Sequence, residues 1–171
     1  MATESIYFTD NFFSAGRTEI FDEKKVKVGE LDLKSSFSAS VDVLTLSDEV
    51  VIKGKFRFFS NKWNVSGQTD HLLGELKAKF SFFTKKFEYR ALKRGIYTIE
   101  SPVFSKEYQI FDQHSTLVAH FERVSGFFSS PAFRLINYSE NLSTNELIVI
   151  VMGVNAIQKR QRSNASAGGA N

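Results

Sequence analysis

The sequence predicts one closed, mainly antiparallel β domain with a single apolar helix at its C-terminus. Three observations predict it. Apolar and polar residues alternate along much of the chain, a strand unit of about 45 residues occurs twice, and one capped apolar segment follows the last strand.

The alternation places the strands. Ser36 to Leu46 sets Phe37, Ala39, Val41 and Val43 on one face, and Val50 to Phe59 reads as a second strand. Leu72–Phe83, Phe87–Leu92, Ile96–Ile99, Tyr108–Phe111, Leu117–Val124 and Phe133–Asn137 continue the pattern. Turn-type residues interrupt it at Asn61-Lys62, Ser66-Gly67, Arg94-Gly95, Asp112-Gln113 and Ser129-Ser130-Pro131. Many short strands with few helices imply a barrel or a sandwich.

The repeat appears when the chain is shifted by 45 residues. Phe59-Ser60 then meets Phe104-Ser105, Trp63 meets Tyr108, Gln68 meets Gln113, Leu72 meets Leu117, Gly74 meets Ala119 and Phe82-Phe83 meets Phe127-Phe128. After one inserted residue Phe87 meets Phe133. The two copies span about 53–92 and 98–137. A sheet of three or four strands cannot bury its apolar face alone, so the copies must close on each other.

The helix is predicted over about 144–162. Ser143-Thr144-Asn145-Glu146 matches a capping box, and Leu147 to Ile157 is apolar on nearly every side. Lys159, Arg160 and Arg162 follow, as suits the end of a helix. Ile and Val also favour strands, so a buried strand is the rival reading. The cap, the length and the basic end favour the helix. Residues 163–171 are small and polar, and are expected to be disordered.

Composition bounds the function. The chain of 171 residues suits one domain, over 1–162, and its 18 Phe read as filling for a wide core. With no Cys there are no disulfides, thiolate metal sites or cysteine nucleophiles. The first ten residues lack a signal-peptide pattern, and the longest apolar run, Leu147–Met152, is too short to span a bilayer. The expectation is a cytoplasmic protein, peripheral at the membrane if it meets one. His71, His114 and His120 form no ligand motif, and the hydrolase elbow and the glycine-rich nucleotide loops are absent. No metal, no cofactor and no enzymatic activity are expected.

Charge is the one functional signal. The net charge is only +3, yet residues 51–94 sum to +8. Alternation sends Lys77, Lys79, Lys86 and Arg90 outward. Lys53, Lys55 and Arg57 form a further row at spacing two, and Lys93 and Arg94 sit at a turn. Neighbouring strands would merge these nine side chains into one field, suited to phosphate or an anionic membrane surface. A merely solvated face is the competing reading. Aromatics placed for base stacking are not identifiable, which argues against nucleic acid.

The strands, together with Glu146-Leu-Ile-Val-Ile-Val-Met-Gly-Val-Asn-Ala-Ile157 and Tyr97–Phe104 through Tyr108–Asp112, resemble the LURP-one-related proteins. These and their bacterial relatives share the tubby C-terminal-like superfamily with the phospholipid scramblases. The resemblance covers about residues 28–160. It implies a closed barrel of about twelve strands around a hydrophobic C-terminal helix. It also implies phosphoinositide headgroups as a ligand class, bound by basic side chains on the barrel. Scramblases carry a cysteine cluster, an acidic calcium-binding stretch and Pro-rich motifs; this chain has no Cys, two Pro and no Asp-x-Asp run. A non-enzymatic binding or scaffold domain is the expected function. The alternatives are a protein-interaction domain without an anionic ligand, or an enzyme or transport protein with a site in the barrel mouth.

Overall fold

The computed structural model describes residues 3–34, 40–102 and 105–168. Twelve strands precede one helix. They are β1 (Glu4–Thr9), β2 (Gly16–Phe21), β3 (Lys27–Leu33), β4 (Ser40–Leu44), β5 (Val50–Phe56) and β6 (Trp63–Gly67). Then come β7 (Leu72–Lys79), β8 (Lys85–Ala91), β9 (Gly95–Ser101), β10 (Tyr108–Phe111), β11 (Leu117–Val124), β12 (Ala132–Asn137) and α1 (Thr144–Ala167). Each strand pairs antiparallel with its chain neighbour. β1 closes the barrel on β12, from Glu4↔Asn137 to Thr9↔Ala132. Closure leaves no unpaired sheet edge.

The backbone carries three copies of the four-strand unit where the sequence comparison shows two. Val65↔Gly74 is followed by a register shift to Ser66↔Leu72, and Ile110↔Ala119 by a shift to Phe111↔Leu117. The same shift follows Ile20↔Gly29, at Phe21↔Lys27. Each of these three hairpins turns through a residue in the left-handed region: Lys25 (φ 63°), Asp70 (φ 61°) and Ser115 (φ 62°). The β4–β5 hairpin shows a like shift, from Val43↔Ile52 to Leu44↔Val50 with Asp48 at φ 63°, so it is the even spacing of Ile20, Val65 and Ile110 along the chain that sets the copies as β1–β4, β5–β8 and β9–β12. The first escapes detection because β2 turns only Thr18 and Ile20 into the core, leaving no run of apolar alternation.

Several predicted boundaries shift. The strand expected over 36–46 is β4, and Phe37 and Ala39 lie outside the described residues, as does Phe104. The strands expected to reach Phe59 and Phe83 stop at Phe56 and Lys79. Phe80, expected to face inward, is 83% exposed. The reading of the phenylalanines as core filling therefore fails for Phe58, Phe59, Phe80, Phe82 and Phe83, which all stand in solvent.

Short turns gather at one end of the barrel and longer loops at the other. Residues 10–15, 57–62, 80–84 and 125–131 form the loop end. α1 enters at the turn end. Ser143 caps it by accepting the Glu146 N–H at 3.2 Å. Leu147 to Val154 are all buried within the barrel, so the apolar helix is surrounded as its composition requires. The helix runs past its predicted end to Ala167, through five residues expected to be disordered, and Gly168 caps it. Its last turn holds no basic residue, so Lys159, Arg160 and Arg162 do not mark its terminus.

One contact sets how close helix and sheet can come. The fully buried Trp63 ring lies between β5 and α1 at positions where both backbones carry glycine. A Cβ on Gly153 would lie 2.5 Å from Trp63 Cδ1, and one on Gly54 would lie 2.5 Å from Val149 Cγ1. Alanine is the better helix former by about 1 kcal/mol. Gly153→Ala is nevertheless expected to cost about 1–3 kcal/mol net, because the indole cannot retreat from a closed core. Urea unfolding followed by circular dichroism reads that loss; a gain in stability would mean the ring has room to move.

Candidate functional site

The barrel wall gathers only part of the predicted basic field. β7 and β8 are neighbours, with Lys79 opposite Lys86 and Lys77 opposite Glu88. β5, which carries Lys53 and Lys55, is separated from them by β6, whose outward residues Asn64 and Ser66 are neutral. Arg57 lies just beyond β5 in a loop, and Lys93 lies exposed in the turn between β8 and β9.

Carboxylates occupy most of these cations. Glu88 sits among Lys77 (3.1 Å), Lys79 (2.9 Å) and Arg90 (3.6 Å). The Lys79 ammonium, with help from Lys77, holds that carboxyl below the usual range against the effect of burial. Lys86 meets Glu100 at 2.7 Å and Lys53 meets Asp70 at 3.0 Å. Arg57 and Lys62 flank Glu75 at 3.5 and 2.8 Å. Of the nine predicted residues only Lys55 and Lys93 have no carboxylate partner among the described residues. A wall whose cations are already neutralised offers a weak field to an approaching anion.

Arg94 does not join the wall. It closes the turn end by clamping the buried Glu146 carboxylate, with Nη1–Oε2 at 2.6 Å and Nη2–Oε1 at 2.9 Å. It also donates to the Leu73 and Asn141 carbonyls, each at 3.0 Å. The Tyr89 hydroxyl donates to the same carboxylate at 2.5 Å, and burial raises that phenol far above its usual range. Glu146 thus serves this cluster, and only the Ser143 half of the predicted capping box is formed.

The loop end is different. A cleft of about 370 Å³ opens between the β7–β8 loop and the emerging α1, lined by residues that include Lys79, Ser81, Thr84, Lys85, Gln158 and Arg162. No acidic residue lines it. Strand alternation puts Lys85 on the inward face with Phe87, Tyr89 and Ala91. Burial, and then the charge of Arg162, hold the Lys85 amine below the usual lysine range. Among the described residues neither Lys85 nor Arg162 has a carboxylate partner. Beside them the Gln158 amide is buried, and its Nε2 makes no hydrogen bond of normal geometry. It lies against the Tyr108 hydroxyl, which burial pushes up to about 12. Lys159, the next residue along α1, is also held low by burial, with Lys106 and Arg162 adding to the effect.

Two cations without carboxylates, a poorly satisfied amide donor and the mutually bonded Ser81 and Thr84 hydroxyls therefore line one open cleft. Such a set can take a phosphate or carboxylate through charge-assisted hydrogen bonds. Sequence reasoning missed it. One signal was present: Lys85 occupies an inward position in a strand whose other inward residues are apolar. Arg162 and Gln158 carried no such signal, because nothing local in the sequence placed the end of the helix beside β8.

The histidines stay apart. His120 lies 3.0 Å from Glu107, His71 meets the Thr69 hydroxyl, and His114 meets Gln113. Among the described residues no group of three His, Asp or Glu side chains could hold a metal ion, and no helix is long and apolar enough to cross a membrane.

No family model and no curated protein matches this chain. Its fold is shared with a protein of Arabidopsis thaliana known from an X-ray structure. The two chains are 13% identical, superpose with a TM-score of 0.64, and cover 91% of each other's length.

Proposed function

We propose that this chain is a non-enzymatic binding domain for a phosphate-bearing ligand, taken at the open end of the barrel. The carboxylate-free cleft with Lys85 and Arg162 carries the reading. An uncompensated pair of cations is costly in a free protein, and an anion that docks there relieves the repulsion as it binds. The wall residues Lys53, Lys55, Lys77, Lys79, Lys86 and Arg90 become a secondary attraction, since most of them already hold carboxylates. Membership of the LURP-one-related group belongs to the same proposal. The twelve-strand barrel, the enclosed helix and the likeness in fold to the Arabidopsis protein support it.

Isothermal titration with glycerol 3-phosphate, a soluble phosphomonoester headgroup, tests the reading. Lys85→Ala with Arg162→Ala should weaken binding tenfold or more, roughly what loss of one charge-assisted contact costs. Lys77→Ala with Arg90→Ala should change it less than threefold, roughly the worth of screened surface charges. If the wall pair mattered more than the cleft pair, the site would have to move to the wall. No binding by the wild-type protein would end the proposal.

A further inference from the structure

The loop end also carries aromatic residues, and the three copies treat them differently. The first copy folds Phe12 and Phe13 into the barrel, where they pack on Phe121 and Phe133. In the third copy Phe127 stacks on Tyr7 and Phe128 meets Phe21 edge-on. The middle copy turns its rings to solvent. Phe58 is 83% exposed and Phe59 96%, while Phe80, Phe82 and Phe83 are 82–88% exposed. The helix is the physical cause, because α1 leaves the barrel on this side. Arg160 donates to the Ser60 carbonyl at 3.0 Å and lies over the Phe56 ring, so the helix side chain takes up that ring's open face.

We infer that the hairpin tips bearing Phe58, Phe59, Phe80, Phe82 and Phe83 insert into the surface of an anionic bilayer. The two tips belong to neighbouring hairpins, because β6 and β7 pair directly. They are separate projections; the open pocket of about 440 Å³ beside Phe58 and Phe59 is lined by Phe56, Arg57, Ser60, Asn61 and Arg160 and does not extend to Phe80, Phe82 or Phe83, so the two tips share no single groove there. Phe58 packs edge-on against Phe59 and Phe80 against Phe82, giving two compact apolar points. Residues 57–62 and 80–86 contain no acid; at the bases of the tips Lys85 stands without a carboxylate, while Arg57 and Lys62 share Glu75 and Lys79 meets Glu88, so the collar keeps a net positive charge. Apolar points above a collar of cations match the order of a leaflet, hydrocarbon beneath phosphate. Phe59 adds a sign of its own. It holds φ +51° in the tight turn closed by Ser60 N–H to the Arg57 carbonyl, a conformation unfavourable for a bulky side chain. A ring kept there and left in water gains nothing from the free protein, whereas a bilayer would bury it.

This inference rests on the phosphate-ligand reading only for the charge of the leaflet; insertion is measured separately. The probe is a vesicle of phosphatidylcholine containing phosphatidic acid, with acyl-chain-brominated lipid as quencher. Trp63, the only native tryptophan, is buried and supplies a constant background. Phe82→Trp should add an emission that shifts to shorter wavelength and is quenched on vesicle binding. The variant combining Phe58→Ser, Phe59→Ser, Phe82→Ser and Phe83→Ser should keep its thermal midpoint and its glycerol 3-phosphate binding, because those rings touch neither core nor cleft. Its vesicle affinity should fall by about a hundredfold, since several rings are lost at once. Wild-type vesicle affinity in that variant, or an unquenched Phe82→Trp signal in bound protein, would overturn insertion. So would a wild-type dimer in sedimentation velocity that the serine variant dissolves, because the tips would then serve a second copy of the chain. If insertion is seen but glycerol 3-phosphate does not bind, the tips stand and the cleft reading falls.

Discussion

Val149→Asp is expected to leave the chain unfolded at room temperature, and Val151→Asp likewise. Both side chains are fully buried inside the barrel, on a helix whose neighbours Leu147, Ile148 and Ile150 are also fully buried. A carboxylate placed there meets no cation and no water. Its desolvation costs several kcal/mol even after it takes up a proton. Domains of this size have about 5–15 kcal/mol in hand, so one such substitution removes most of it. The loss should be cooperative, because the same residues line every strand's inner face through one core. Far-ultraviolet circular dichroism during a thermal ramp reads the outcome. A wild-type melting curve from either variant would mean that water reaches the helix.

Arg94→Ala should destabilise the protein by about 3–5 kcal/mol, the usual penalty for stranding one partner of a buried ion pair. Glu146 is 2% exposed, and its two carboxylate oxygens are held by the guanidinium and by Tyr89. Without Arg94 the charge stays in the core, and the Leu73 and Asn141 carbonyls lose a donor as well. Adding Glu146→Gln to Arg94→Ala removes the stranded charge and should recover part of the loss, whereas Arg94→Lys should recover little because one ammonium cannot grip both oxygens. Chemical denaturation of the three variants separates these cases. Equal stability of Arg94→Ala and the double variant would show that the pair is not what locks helix to barrel.

Both substitutions act on the same design. α1 is held at its entry by one charged clamp and along its length by apolar packing. Its exit carries cations that the barrel does not neutralise. A structure so firmly fixed at one end can expose unusual chemistry at the other, where the Lys85–Arg162 cleft and the exposed phenylalanine tips stand on the same loop end. That division suits a rigid scaffold presenting a binding surface on its loops.

The outward row of Lys77, Lys79, Lys86 and Arg90 was legible because strand period alone decides which face a residue takes. Its neutralisation was not. Glu88 lies on the same strand as Lys86 and Arg90, yet it draws Lys77 and Lys79 from the strand beside it, and only the register puts them within reach. Phe80 shows the opposite failure. Alternation carried past Lys79 assigned it to the core, but β7 ends there and the period ends with it.

What the chain dictated locally was the alternation of its strands, the offset of its repeat, and a capped apolar stretch whose cap, length and basic end favoured a protein-enclosed helix over a buried strand. These follow from period, cap and composition, which act between residues a few positions apart. Closure of the barrel decided the rest. It brought Arg94 to Glu146 and Lys85 to Arg162, and chose which phenylalanines plug the mouth and which stand in water. Contacts between residues far apart in the chain depend on where twelve strands meet around one helix, and no local pattern carries that information.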